Sequence, residues 1–106
     1  MSISSVQKAI SVGVAVENDR YCLALCESGN AIRRREFAVD ARGQSSLESF
    51  LAAMKTPVRI AVSASTAAAV AMAVALSAIP HSEVFLVSPS IAAQSVELAR
   101  YAERTV

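Results

Sequence analysis

Residues 9–16 read AISVGVAV, and their alternation sets the architecture. Ile10, Val12, Val14 and Val16 fall on one side of an extended chain; Ser11, Gly13 and Ala15 fall on the other. This is a strand with one bulky face and one face cleared of side chains. Glu17-Asn18-Asp19 forms a tight turn, and residues 20–27 (RYCLALCE) form a second strand, antiparallel because the connection is so short. Ser28-Gly29-Asn30 turns the chain again into a third strand over residues 31–39. A three-stranded meander therefore occupies the first forty residues.

Beyond it, strands alternate with helices. Residues 40–44 read as a loop, and Ser45 or Ser46 caps a helix through Lys55, with Leu47, Phe50, Leu51 and Met54 at helical spacing. Thr56-Pro57 ends it, because the residue before proline is pushed out of the helical region. Residues 58–62 form a short apolar strand of the kind buried in a parallel sheet. Ser65 or Thr66 caps a second helix running to about Ile79 and stopped by Pro80. Residues 83–87 form a fifth strand, and Ser88-Pro89 opens a third helix reaching about Arg104. The order βββαβαβα predicts an α/β domain with a mixed five-stranded sheet and right-handed crossovers. One domain spans residues 1–106.

Composition narrows the function. The chain is 54% apolar but only 5% aromatic, so alanine, valine and leucine do the packing and helices approach the sheet closely. A formal charge of +1 is not that of a strongly basic nucleic-acid binder, although it leaves room for a local patch. The opening MSISSVQKAI lacks the apolar core of a secretory signal, and residues 67–76 fall short of the ~20 needed to span a bilayer. A cytoplasmic protein with no membrane association is expected. Cys22 and Cys26 share one face of the second strand but lie ~13 Å apart at ~3.3 Å per residue. That exceeds disulfide or shared-metal reach, so both read as small buried apolar groups.

A meander followed by βαβα is the order of the ribonuclease H-like superfold, and four motifs narrow the likeness. VGVAVENDRYCLAL, from Val12 to Leu25, is similar to the "VGIDVSKDxLDVAL" opening of the bridge-RNA-guided DEDD transposases and Piv-type invertases, whose catalytic half is a RuvC-like domain. Ile60 to Thr66 (IAVSAST) resembles their "VVMEATG", and Leu86 to Pro89 (LVSP) their "VVNP". The stretch from Pro89 onward has the spacing to their "KTD", here Arg104-Thr105-Val106. The motifs stand in order, on matching elements, across nearly the whole chain.

That family holds two divalent ions with four acidic side chains, activating the attacking oxygen and stabilising the leaving one. Hard cations such as Mg²⁺ need oxygen ligands, and carboxylates supply the offsetting charge. Carried over motif by motif, the first aspartate falls on Ala15, the glutamate on Ser63 and the next aspartate on Val106; the fourth falls past the last residue. Methyl and isopropyl groups cannot ligate a metal, and a neutral hydroxyl is a poor substitute. The resemblance thus implies the fold without the activity: no catalytic residues, no metal, no cofactor.

Other residues offer less chemistry. His81 is the only histidine and reads as a solvated turn residue after Pro80. Gly13, Gly29 and Gly43 form no phosphate-cradling loop, and Glu17 and Asp19 read as polar turn residues. Arg33, Arg34 and Arg35, with Arg42 following in the loop, make the one dense basic cluster. It reads either as charge protecting an edge strand or as a contact for nucleic-acid phosphate or an acidic protein. Residues 67–76 carry no polar side chain, so some of Val70, Met72, Val74 and Leu76 must point away from the sheet, since residues two apart step ~200° around a helix. Either alanine-rich exposure or a subunit interface accounts for this, and a homodimer is expected.

The leading expectation is a catalytically inactive ribonuclease H-like domain serving as a binding, assembly or regulatory module, associated with a mobile element. Two alternatives stand beside it. One is a nucleotide- or metabolite-binding protein using the cleared face near Gly13 and Ala15; the other is a functionless transposase fragment ending at the last family motif.

Overall fold

A computed structural model describes residues 10–27, 32–54, 56–88, 90 and 94–104. The first strand, β1 (Ile10–Glu17), turns into β2 (Arg20–Glu27) through Asn18 and Asp19, both left-handed at φ 51° and 58°. Two consecutive residues in that region make the hairpin turn whose twist matches the strands, and Asn and Asp tolerate it. β3 (Ile32–Ala38) completes the meander, antiparallel to β2.

Three helices and two further strands follow: α1 (Ala41–Ala52), β4 (Val58–Ser63), α2 (Ala67–Leu76), β5 (Ser82–Val87) and α3 (Ser95–Arg104). The sheet order is β3-β2-β1-β4-β5, with β1–β4 and β4–β5 parallel. The expected α/β architecture with a mixed five-stranded sheet is present.

The two sheet faces are packed differently. Val12, Val14, Leu23, Leu25, Ile60 and Val62 meet Leu47 and Leu51 of α1 and Ala69, Met72, Ala73 and Leu76 of α2, forming the main core. On the opposite face Ala15, Ala24, Cys26 and Ala61 receive Leu98, Ala99 and Ala102 of α3. The face cleared of bulk is thus a seat for a helix. Gly13 is its tightest point: a Cβ there would overlap the Ser95 carbonyl oxygen and the Ala99 amide nitrogen, and stand 2.7 Å from Leu98 Cβ.

Helix boundaries differ from the sequence-based expectation at four places. α1 begins at Ala41, not after Ser45 or Ser46, because Asp40 caps it: its Oδ1 accepts a hydrogen bond from Gly43 N at 2.7 Å. Gly43 is no loop residue; its missing Cβ lets the first turn sit on the Ala38 carbonyl at the end of β3. α1 ends at Ala52, and Lys55 lies outside the described residues. α2 is capped by Thr66, whose Oγ1 accepts from Ala69 N, and stops at Leu76; the chain then continues in turns to the buried Ile79. α3 begins at Ser95 rather than at Ser88-Pro89, with Glu97 Oε1 accepting from Gln94 N at 3.1 Å as in a capping box. Ser88 instead bonds Ser90 through its hydroxyl, and Pro89 lies outside the described residues. Asp40→Ala removes a cap acceptor, and thermal or urea unfolding should register a loss of about 1 kcal/mol.

Candidate functional site

Parallel pairing of β1 with β4 sets Val14 opposite Val62. The next residues, Ala15 and Ser63, therefore stand side by side at the C-terminal ends of these strands, on the face covered by α3. The fold brings together two positions that the family resemblance relates. Both are sealed, with 1% of Ala15 and none of Ser63 exposed. Ala15 belongs to an apolar cluster with Ala61, Val87, Leu98 and Ala102. Ser63 Oγ is buried without a hydrogen-bond partner among the described residues. Val106 lies outside the described residues.

Glu17 is two residues beyond Ala15 on the same face and is half-buried, with Oε2 enclosed and unpartnered among the described residues. Its negative charge, with that of Glu36, adds to burial in pushing the Cys22 thiol above its ordinary range. Cys22 and Cys26 are both buried free thiols, matching the reading of them as small apolar groups. Among the described residues, no group of three or more His, Cys, Asp or Glu side chains is placed to hold a metal ion. His81 is half-buried rather than solvated, because the turn carrying it is tied to β4: its carbonyl accepts from Val58 N at 3.0 Å.

The arginine cluster divides. Arg33, Arg34 and Arg35 are all exposed on β3, which is an edge strand. Arg35 lies over the Phe50 ring of α1, 4.7 Å from its centroid, and Phe50 in turn meets Phe37. Strand alternation puts Arg33 on that same face, and Arg34 on the other with Cys22 and Glu36, which line one hollow with it. Glu36 also pairs with Arg20 at 3.8 Å. Arg42 is not in a loop but in the first turn of α1, past the end of β3 that is distal to Arg33. The four arginines therefore do not form a single patch.

The second helix corrects the expected contact surface. Met72 and Leu76 are fully buried and belong to the main core, not to an outer face. Val70 and Val74 are exposed, the latter at 67%. The reason is angular: residues four apart nearly coincide around a helix, so each pair shares a direction and the two pairs point oppositely. Leu86 of β5, 53% exposed, joins this surface, and a hollow of about 230 Å³ lies between Ala73, Val74, Ser77, Val84 and Leu86. Sequence reasoning missed Leu86 because an apolar strand in a parallel region reads as buried on both sides. Its place at the end of the sheet leaves one side open.

No helix among the described residues is long and apolar enough to cross a membrane. No family model and no curated protein matches this sequence.

Proposed function

We propose that this chain is a catalytically inactive ribonuclease H-like domain, akin to the DEDD transposases and Piv-type invertases, working in the cytoplasm as a binding or assembly module associated with a mobile element. The observation carrying this reading is the Ala15–Ser63 pair at the C-terminal ends of β1 and β4, sealed beneath Leu98 and Ala102. Where two metal-binding carboxylates would stand, there is a methyl group and a hydroxyl in an apolar layer. An ion there would lose its hydration without gaining charged ligands. The exposed arginines of β3 act first as edge protection, and the α3 helix occupies the surface that a nucleotide or metabolite would need near Gly13.

Purified protein incubated with branched and duplex DNA in Mg²⁺ or Mn²⁺ should release no product above the buffer background. Metal-dependent cleavage that co-purifies with the chain and disappears on chelation overturns the proposal. A shift of the same DNA in a gel without cleavage, weakened in Arg33→Ala/Arg35→Ala, would instead assign the binding role to the β3 edge.

A further inference from the structure

The two edges of the sheet are finished in opposite ways. β3 carries three consecutive arginines and Glu36, the charged finish that keeps an open strand from pairing. β5 (SEVFLV) carries one charge, Glu83, which is held on the α3 side by Arg59 at 3.4 Å. Its backbone edge is open among the described residues. Val58 N donates to His81 O and Ala64 N donates to Val87 O, so odd-numbered residues of β5 turn their backbone groups toward β4. Val84 and Leu86 turn theirs outward.

The side chains of Val84 and Leu86 lie on the α2 side, beside exposed Val74. Val70, Val74 and Leu86 are the exposed large hydrophobic residues among those described. A second copy of the same surface offers this patch an apolar complement of matching extent. We propose that β5 and the outer face of α2 bind a second copy of this chain in an isologous contact; this rests on reading the chain as an assembly module.

One register satisfies the outward groups of Val84 and Leu86 in full. Antiparallel pairing centred on Phe85 sets Val84 opposite Leu86 of the second copy, and Leu86 opposite its Val84. The outward donors and acceptors of Val84 and Leu86 are then all used, while Ser82 N keeps its bond to Ile79 O. Apolar side chains face each other across the junction, and the two α2 helices approach through Val74. A register centred on Glu83 would oppose like charges. Pairing β5 with β3 of another copy would set arginines against Leu86 and propagate without closing. The charge-free α2 surface likewise offers nothing to phosphate.

Light scattering after size exclusion should give twice the 11.1 kDa chain mass, falling toward monomer on dilution. Backbone amides of Val84 and Leu86 should exchange slowly with deuterium in the dimer and fast in the monomer. Val74→Lys/Leu86→Lys should raise the dissociation constant on the order of a hundredfold, with an unchanged circular dichroism spectrum. The inference is overturned by a monomer at every concentration, including one whose Val84 and Leu86 amides are protected by the chain's own segments. A dimer indifferent to the double substitution also overturns it. A monomer that leaves DNA intact removes this contact alone and leaves the non-catalytic reading standing.

Discussion

Gly13→Ala is expected to lower stability by about 3 kcal/mol or more, with a fall in thermal midpoint above about 10 °C. A single added methyl has this effect because of what it would meet. The overlapping atoms are the Ser95 carbonyl oxygen and the Ala99 amide nitrogen, and neither can rotate aside as a side-chain tip would. α3 must therefore lift off β1, which also separates Leu98 and Ala102 from Ala15 and Ala61. The backbone angle of Gly13 plays no part, since the constraint is the distance between helix and sheet. Thermal melts followed by circular dichroism provide the measurement. A variant as stable as the parent would mean that α3 does not rest on β1 as described.

The second large effect separates two neighbouring positions on one helix. Met72→Ala should cost about 2–5 kcal/mol, because it opens a cavity between α2 and the sheet that close-packed neighbours fill only in part. Val74→Ala, two residues away, should shift stability in dilute protein by no more than about 0.5 kcal/mol. Urea titration of both variants at low concentration reads the difference directly. Equal losses at the two positions would show that α2 is rotated relative to the sheet.

That contrast also shows where sequence reading succeeds and where it stops. Alternation at Ile10–Val16 disclosed both faces of β1, because a strand has only two sides and each residue type declares one. The same simplicity placed Cys22 and Cys26 in the interior. α2 defeated it: with ten apolar residues, no polar side chain marks the outside, so the buried pair Met72 and Leu76 and the exposed pair Val70 and Val74 look alike. Helix starts hide in two ways: Asp40 reads as part of a loop, and Gln94 reads as the interior of a helix opened at Ser88-Pro89. Each stands just before the first turn, with Asp40 accepting from Gly43 N and Gln94 N donating to Glu97. The Ala15–Ser63 juxtaposition followed from the parallel pairing expected of strands joined by a helical crossover, which aligns their C-terminal ends. The scatter of Arg42 away from Arg33 did not, since it depends on where α1 begins.

β1 precedes the other described strands in sequence yet lies at the centre of the sheet, and this orders the assembly of the nascent polypeptide. Its pairing with β2 needs only the two-residue turn at Asn18-Asp19, whereas Val12 reaches its other neighbour, Ile60, across a connection containing α1. Local closure is fast and long-range parallel pairing slow. As synthesis proceeds, the meander can form while the opposite margin of β1 waits for β4 to emerge. α3, the element that Gly13 admits, follows β4 and β5 in sequence and can dock only after they have emerged. The interval before that docking is when Ala15, Ala24 and Ala61 stand uncovered, and when a chaperone or a stray strand would find the protein most receptive.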